Sequence, residues 1–325
     1  MINNVKAFGK FLDQPMLIAK LNKSLPVILT GAGSLFMINK TKDVFEKTSD
    51  DKERKKQLLE HGLVLVSAIT SALMAPKIAS KITNRMPLDS IEKVKLKNSA
   101  LVDEFIKNNK ADEDIKIILN KAKEEVLSLS EVKKVTEKCN KDGFVQKLIP
   151  DPENVSANDI FSEIGYLSIY GAVPVVGGIL GGVGADAIAK ENVKEKAPDK
   201  IKEGVYQYLA NIFMCNIGAG TALAILEKMG ITSKIARAAA MCAGIAIFGI
   251  IGGSRMANLF SNKILNPILH IKNDEKERHP EILDIGLHTD DIATVSLLSG
   301  LKWIEPMLPT LYSVSGYRAG IGYRN

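Results

Sequence analysis

The chain has 325 residues, 46% of them hydrophobic and 25% charged, with 43 Lys and Arg against 37 Asp and Glu and only three Cys. That composition excludes a disordered chain, a collagen-like repeat and a disulfide scaffold. The excess of base is interleaved with acid in nearly every polar stretch and no nucleic-acid module appears, so no nucleic-acid partner is expected and anionic lipid headgroups are the natural one.

Residues 1–23 carry Lys6, Lys10, Lys20 and Lys23 with Val5, Phe8 and Leu12, and read as an amphipathic N-terminal helix. Five uncharged stretches follow, at 24–39, 61–76, 164–185, 204–226 and 238–254. A membrane span needs about 20 apolar residues, because each adds about 1.5 Å of helix across hydrocarbon about 30 Å thick. The third and fourth stretches are full length. The other three are short, and cross only with snorkelling flanks such as Lys23, Lys40, Lys77, Arg237 and Arg255, or else dip in and return. The expected fold is all-α: a multi-span helical membrane protein of about five segments with a small polar helical subdomain.

The expected boundaries are a first membrane hairpin at 24–88, the polar subdomain and linker at 89–163, three membrane segments at 164–269, and a C-terminal interfacial region at 270–325, in which 292–323 reads as an interfacial or re-entrant segment with a buried soluble helix as the plain alternative. The subdomain has soluble-helix grammar: Asp112, Glu113 and Asp114 in a first turn, then Ile115, Ile118, Leu119, Ala122 and Val126 at helical spacing. Ser128 and Glu131 form a capping box, and Gly143 suits a helix stop. Tyr166, Tyr170, Tyr206 and Tyr208 near the starts of the full-length stretches suit the headgroup level. Cys139 lies in a polar region, whereas Cys215 and Cys242 lie in apolar stretches and read as packing thiols.

Small residues recur every fourth position in the apolar stretches: Gly177, Gly181 and Ala185; Gly218 and Ala222; Gly249 and Gly253. In lipid this spacing serves close helix approach, with other membrane helices or a second copy as partners. Gly31 and Gly33 belong to a possible internal repeat, in which Gly31, Ala32, Gly33 and Ser34 correspond to Gly218, Ala219, Gly220 and Thr221. Later residues from Gly62 to Pro87 parallel those from Gly244 to Pro267. Two such hairpins around a single crossing would be inverted relative to each other, the organisation of many secondary transporters.

The run Thr30, Gly31, Ala32, Gly33, Ser34 resembles the glycine turn of short-chain dehydrogenases and the opening of sirtuins, but Leu35 and Met37 stand where the dehydrogenase pattern has glycines. Gly182, Gly184 and Ala187 fit a relaxed dinucleotide turn without the acidic ribose ligand. No cofactor follows from either. Asp284, His288, Asp290 and Asp291 form the best polar cluster, with helix capping by Thr289, Asp290 and Asp291 as the plain alternative. Asn211, Asn216 and Thr221 are the polar side chains placed to meet a solute or to bond between helices. The residues point first to a non-enzymatic membrane-embedded interaction or organising component, second to a passive or secondary transporter, and third to a nucleotide-dependent enzyme.

Overall fold

The computed structural model describes residues 4–109, 112–139, 143–150, 156–271, 277–281 and 302–322. All its regular structure is helical, and no strand occurs among the described residues. Five helical stretches are long and apolar enough to cross a membrane: Pro15–Lys47, Asp51–Thr83, Ile160–Ile188, Val193–Lys228 and Ala236–Ile268. A helix of 33 residues is about 50 Å long. The short uncharged stretches are therefore parts of longer helices, 24–39 and 61–76 in the middle of theirs and 238–254 near the start of its own, and length no longer distinguishes them from the other two.

The chain divides into two compact units, one made of residues 1–25, 88–155 and 296–307 and the other of 26–87, 156–295 and 308–325. In the first unit, α1 (Asn4–Leu12), α4 (Ile91–Asn108), α5 (Glu113–Glu124), α6 (Leu129–Lys138) and α7 (Phe144–Leu148) enclose a core containing Val102, Leu119, Leu127 and Val132. Of the periodic residues, Ile115, Ile118, Leu119 and Ala122 face inward, whereas Val126 lies past the end of α5 and is half-buried. Phe105 and Phe144 stack with ring centroids 4.1 Å apart. Gln14 fastens the preceding segment to this core: its Nε2 donates to the Leu127 carbonyl at 2.8 Å, and its Oε1 accepts from the Leu127 N–H at 2.8 Å.

The capping box forms as the sequence indicates, with Ser128 accepting from the Glu131 N–H and Glu131 accepting in return. Gly143 does not end α6 but precedes α7, at a positive φ of 68° that favours glycine. Cys139 is buried in this core, where burial pushes its thiol above the usual range. Cys242 is exposed, so the packing thiols are Cys139 and Cys215. The N-terminal region holds two helices, and the second, α2 (Pro15–Lys47), runs unbroken through position 23.

The second unit contains the rest of α2, α3 (Asp51–Thr83), α8 (Ala157–Ile188), α9 (Val193–Tyr208), α10 (Met214–Lys228), α11 (Lys234–Gly244), α12 (Ser254–Phe260), α13 (Asn266–Ile268) and α14 (Leu308–Ile321). π-helical turns at Leu209–Phe213, Ile245–Gly253 and Ser261–Leu265 join the later segments. Asp50 caps α3 by accepting from the Lys52 and Glu53 N–H groups, and Asn84 ends it in the left-handed conformation at φ 53°.

At the centre, α14 packs against α8, α3 and α9, burying Leu308, Tyr312, Gly316, Arg318 and Gly320. The sequence suggests an interfacial or re-entrant tail, with a buried helix as the alternative, and the described helix lies inside the bundle. At 14 residues it spans about 21 Å, short of a full crossing. Tyr166, Tyr170 and Tyr206 are also buried inside the bundle. Tyr170 meets Tyr166 and Tyr312 edge to face, both at 5.5 Å, while Arg85 lies 4.3 Å over the Tyr166 ring and pairs with Glu163.

The subdomain carries a pH dependence. Burial alone would raise the Glu131 carboxyl, but the Lys121 ammonium and the Ser128 N–H and hydroxyl outweigh it and hold Glu131 below its ordinary value of 4.5. A depressed carboxyl stabilises the fold above its unfolded value and loses that contribution as pH falls through the folded one. Hydrogen exchange of residues 91–148 in the full-length protein is expected to show protection declining below about pH 4.5. Glu131→Gln should flatten that decline, and an unchanged profile would contradict the assignment.

Candidate functional site

The charges that flank the uncharged stretches converge inside the second unit. Glu60 ends the charged turns of α3, Asp186 lies in the last turn of α8, and Lys196, Lys200, Lys202 and Glu203 belong to α9. Lys200 Nζ lies 2.7 Å from Glu60 Oε1 and 3.3 Å from Asp186 Oδ2. The second of these is an ion contact outside hydrogen-bonding geometry, because Asp186 Oδ2 accepts no hydrogen bond. Lys196 bridges Asp186 and Glu191, and Lys56 Nζ reaches Glu191 at 2.7 Å. The first three turns of α3 are thereby joined to the loop between α8 and α9 and to α9 at one end of the bundle.

Deeper along α9, Glu203 is 0% exposed and faces Arg278, which enters from residues 277–281. Arg278 Nε donates to Glu203 Oε2 at 3.3 Å, and its guanidinium lies 4.4 Å over the Tyr206 ring. The segment is pinned along its backbone: Asn258 Nδ2 and Ser254 Oγ donate to the Arg278 carbonyl, and Asn258 Oδ1 accepts its N–H at 3.0 Å. Glu281 takes Arg318 of α14 at 3.1 Å. A ladder at four-residue spacing extends the polar seam, with Gln207 Nε2 donating to Glu203 Oε1 at 2.8 Å and Asn211 Nδ2 to Gln207 Oε1 at 2.9 Å.

Charge-free intervals do not disclose this seam: Glu203 borders one, Gln207 and Asn211 lie inside it, and Arg278 and Arg318 lie far from any. The recurrence of Glu203, Gln207 and Asn211 every fourth residue is the signal in the sequence that could have found it.

The expected residues fall in several places. Asn211 and Asn216 bond within their own helix, Asn216 Nδ2 donating to the Ile212 carbonyl at 2.8 Å while its buried Oδ1 accepts nothing. Thr221 is half-buried. Asp284, His288, Asp290 and Asp291 lie outside the described residues. Among the described residues no group of three or more His, Cys, Asp or Glu is arranged to hold a metal.

Both glycine runs with a dinucleotide-like pattern lie inside uninterrupted helices, 30–34 within α2 and 182–187 within α8. Their N–H groups are committed to helical bonding, and Thr30 Oγ1 and Ser34 Oγ donate back to the Pro26 and Thr30 carbonyls. A phosphate turn needs free N–H groups at a helix start, so the resemblance carries no nucleotide site.

The small residues differ in their surroundings. A Cβ on Gly177 or Gly181 would meet Ser71 or Ser67 of α3; one on Gly218 would meet the Gly244 backbone, on Gly249 the Cys215 sulfur, and on Gly253 Ala210. Ala222 Cβ stands 2.8 Å from where a Cβ on Gly244 would be, Ala185 is buried, and Gly33 faces Ile69. Gly31 meets nothing within 4 Å. The tightest approach joins α8 to α14, where Cβ atoms on Gly178 and Gly182 would overlap the Gly316 and Gly320 carbonyls. Gly316 and Gly320, four apart in the tail, complete this contact from outside the small-residue rows of the uncharged stretches.

Comparison with known proteins finds no matching family model, no similar curated protein and no similar solved structure.

Two outcomes follow for stability in detergent. Arg278→Ala strands a buried carboxylate and is expected to cost about 3–5 kcal/mol, with much of the loss recovered by pairing Glu203→Gln with Arg278→Met. Additive losses in that thermal-unfolding cycle would contradict the coupling. Gly178→Ala should cost about 1–3 kcal/mol through overlap with the Gly316 backbone, whereas Gly31→Ala should be neutral or stabilising by up to about 1 kcal/mol. The reverse order would contradict the packing described.

Proposed function

We propose that this chain is an integral membrane protein acting as a non-enzymatic interaction or membrane-organising component. The observation that carries the reading is the arrangement of polarity in the second unit. Val27, Leu35, Ile38, Val66, Leu180 and Ile251 are exposed large apolar residues on its long helices, while Lys200, Glu203, Arg278 and Arg318 are buried within. In water that distribution is unfavourable on both counts. Surrounded by acyl chains, the apolar exterior is solvated and the inner charges neutralise one another.

Gly177, Gly181, Ala185, Gly218, Ala222, Gly249 and Gly253 then serve close helix approach, and the outward apolar faces are available to other membrane helices or a second copy. Anionic lipid headgroups are the proposed partner of the Lys-bearing helix ends.

A second reading, passive or secondary transport of a small solute, is favoured by one feature. The π-helical turns Leu209–Phe213 and Ile245–Gly253 pack against each other beside Asn211, and such turns recur at functional sites. It also draws on the suggested repeat, since α2 with α3 and α10 with α11 are each helix pairs joined by a short turn.

Alkaline carbonate extraction should leave the protein with the membrane pellet; release into the supernatant would remove both readings. Proteoliposomes should show the same solute flux as protein-free vesicles across a broad panel. A flux that Gly218→Leu abolishes would replace the first reading with the second.

A further inference from the structure

A cavity of about 240 Å³ opens between α2, α3 and α14. Its walls are Leu29, Ala32 and Phe36 of α2, Leu65 and Ile69 of α3, and Val314 of α14. It exists because α2 approaches its neighbours at only a few points along this face. Gly33 comes close to α3, where an added Cβ would stand 2.6 Å from Ile69 Cδ1, and Phe36 meets the Tyr317 ring edge to face at 4.9 Å.

The slot follows α2 from Leu29 to Phe36, about 10 Å of helix, which fits within one leaflet of a hydrocarbon core about 30 Å thick. Its polar atoms are few and mostly committed. Ser313 Oγ donates to the Thr310 carbonyl at 2.7 Å, and Tyr317 Oη is bonded to His61 Nδ1 at 2.8 Å. Thr310 Oγ1 alone lacks a partner, at the deep end away from Tyr317. Nothing converges on a polar ligand here, so the lining selects an unbranched hydrocarbon.

The other end is charged. Lys40 lies one helical turn beyond Phe36, and Lys200 pairs with Glu60, the residue before His61. Lys200 is engaged by Glu60 and Asp186, whereas Lys40 forms no ion pair with a described residue. An apolar slot with a lysine one helical turn beyond its end, unpaired among the described residues, matches an acyl chain whose headgroup carries a negative charge.

We propose that this cavity binds one acyl chain of an anionic phospholipid, with the headgroup phosphate at Lys40. The proposal rests on the membrane reading above and adds to it a defined lipid and a defined site.

The test uses the full-length chain in phosphatidylcholine vesicles containing phosphatidylglycerol with a photoactivatable group on its acyl chain, and mass spectrometry of the labelled peptides. Labelling is expected at 29–36 and 310–317 in addition to the outward faces around Val66, Leu180 and Ile251. Labelling of the outward faces without the cavity overturns this proposal and leaves the membrane reading intact; no labelling anywhere overturns both.

Ala32→Phe and Val314→Phe, which fill the slot, should each abolish the cavity label while the outward label reports an intact fold, and persistence in both would contradict the site. Lys40→Gln should reduce the preference for the phosphatidylglycerol probe over its phosphatidylcholine counterpart about fivefold. Equal labelling of the wild-type cavity by the two probes would refute the headgroup assignment. Thr310→Val should leave the cavity label unchanged, and its loss would point instead to a polar ligand.

Discussion

The ion pair between Glu203 and Arg278 sets the terms for the rest of the second unit. Both side chains are shut away from the surface, their nitrogen and oxygen 3.3 Å apart. An isolated charge in such surroundings costs many kcal/mol, so each is tolerable only with the other and with the hydrogen bonds that complete it. Those bonds draw in Gln207, Asn258, Ser254 and the face of Tyr206, which places side chains from the fourth and fifth long helices around one inserted segment. Arg318 reaches Glu281 on that same segment, tying α14 to it. Charge neutralisation and helix placement are thus one problem with one solution.

The absence of side chains does as much as their presence. For α14 to lie between α8 and α9 its backbone must come down onto the backbone of α8, and the facing positions Gly178, Gly182, Gly316 and Gly320 leave room for that approach. Such proximity strengthens dispersion between the helices where hiding apolar surface from water provides little drive. The position of α14 in turn helps form the cavity beneath α2, because Val314 and Tyr317 supply its wall and end.

The sequence made the helical class and the five apolar segments legible, because a helix with one face in water seldom runs so far without a charge. It also disclosed the local grammar of the subdomain: the capping box at Ser128 and the inward row of Ile115, Ile118, Leu119 and Ala122 depend on residues a few positions apart. Interactions distant in sequence were hidden. Glu203 and Arg278 are separated by 75 positions, and nothing local to either indicates the other. The tyrosines illustrate the same limit: nothing local to Tyr166 or Tyr206 indicates the Arg85 and Arg278 guanidiniums that lie over their rings. The glycines at 31 and 178 look alike in the sequence, yet one faces open space and the other a backbone carbonyl.

The central claim is that the outer faces of the long helices are in contact with hydrocarbon. Nitroxide labels at Val66→Cys, Leu180→Cys and Ile251→Cys, in a background without the native thiols and reconstituted into vesicles, test it through collision with oxygen and with a water-soluble nickel complex. At all three sites the account predicts frequent collisions with oxygen and few with nickel, and the opposite pattern for a label at Ile117→Cys, on the exposed side of α5. Nickel access at the three helix sites equal to that at position 117 would contradict it.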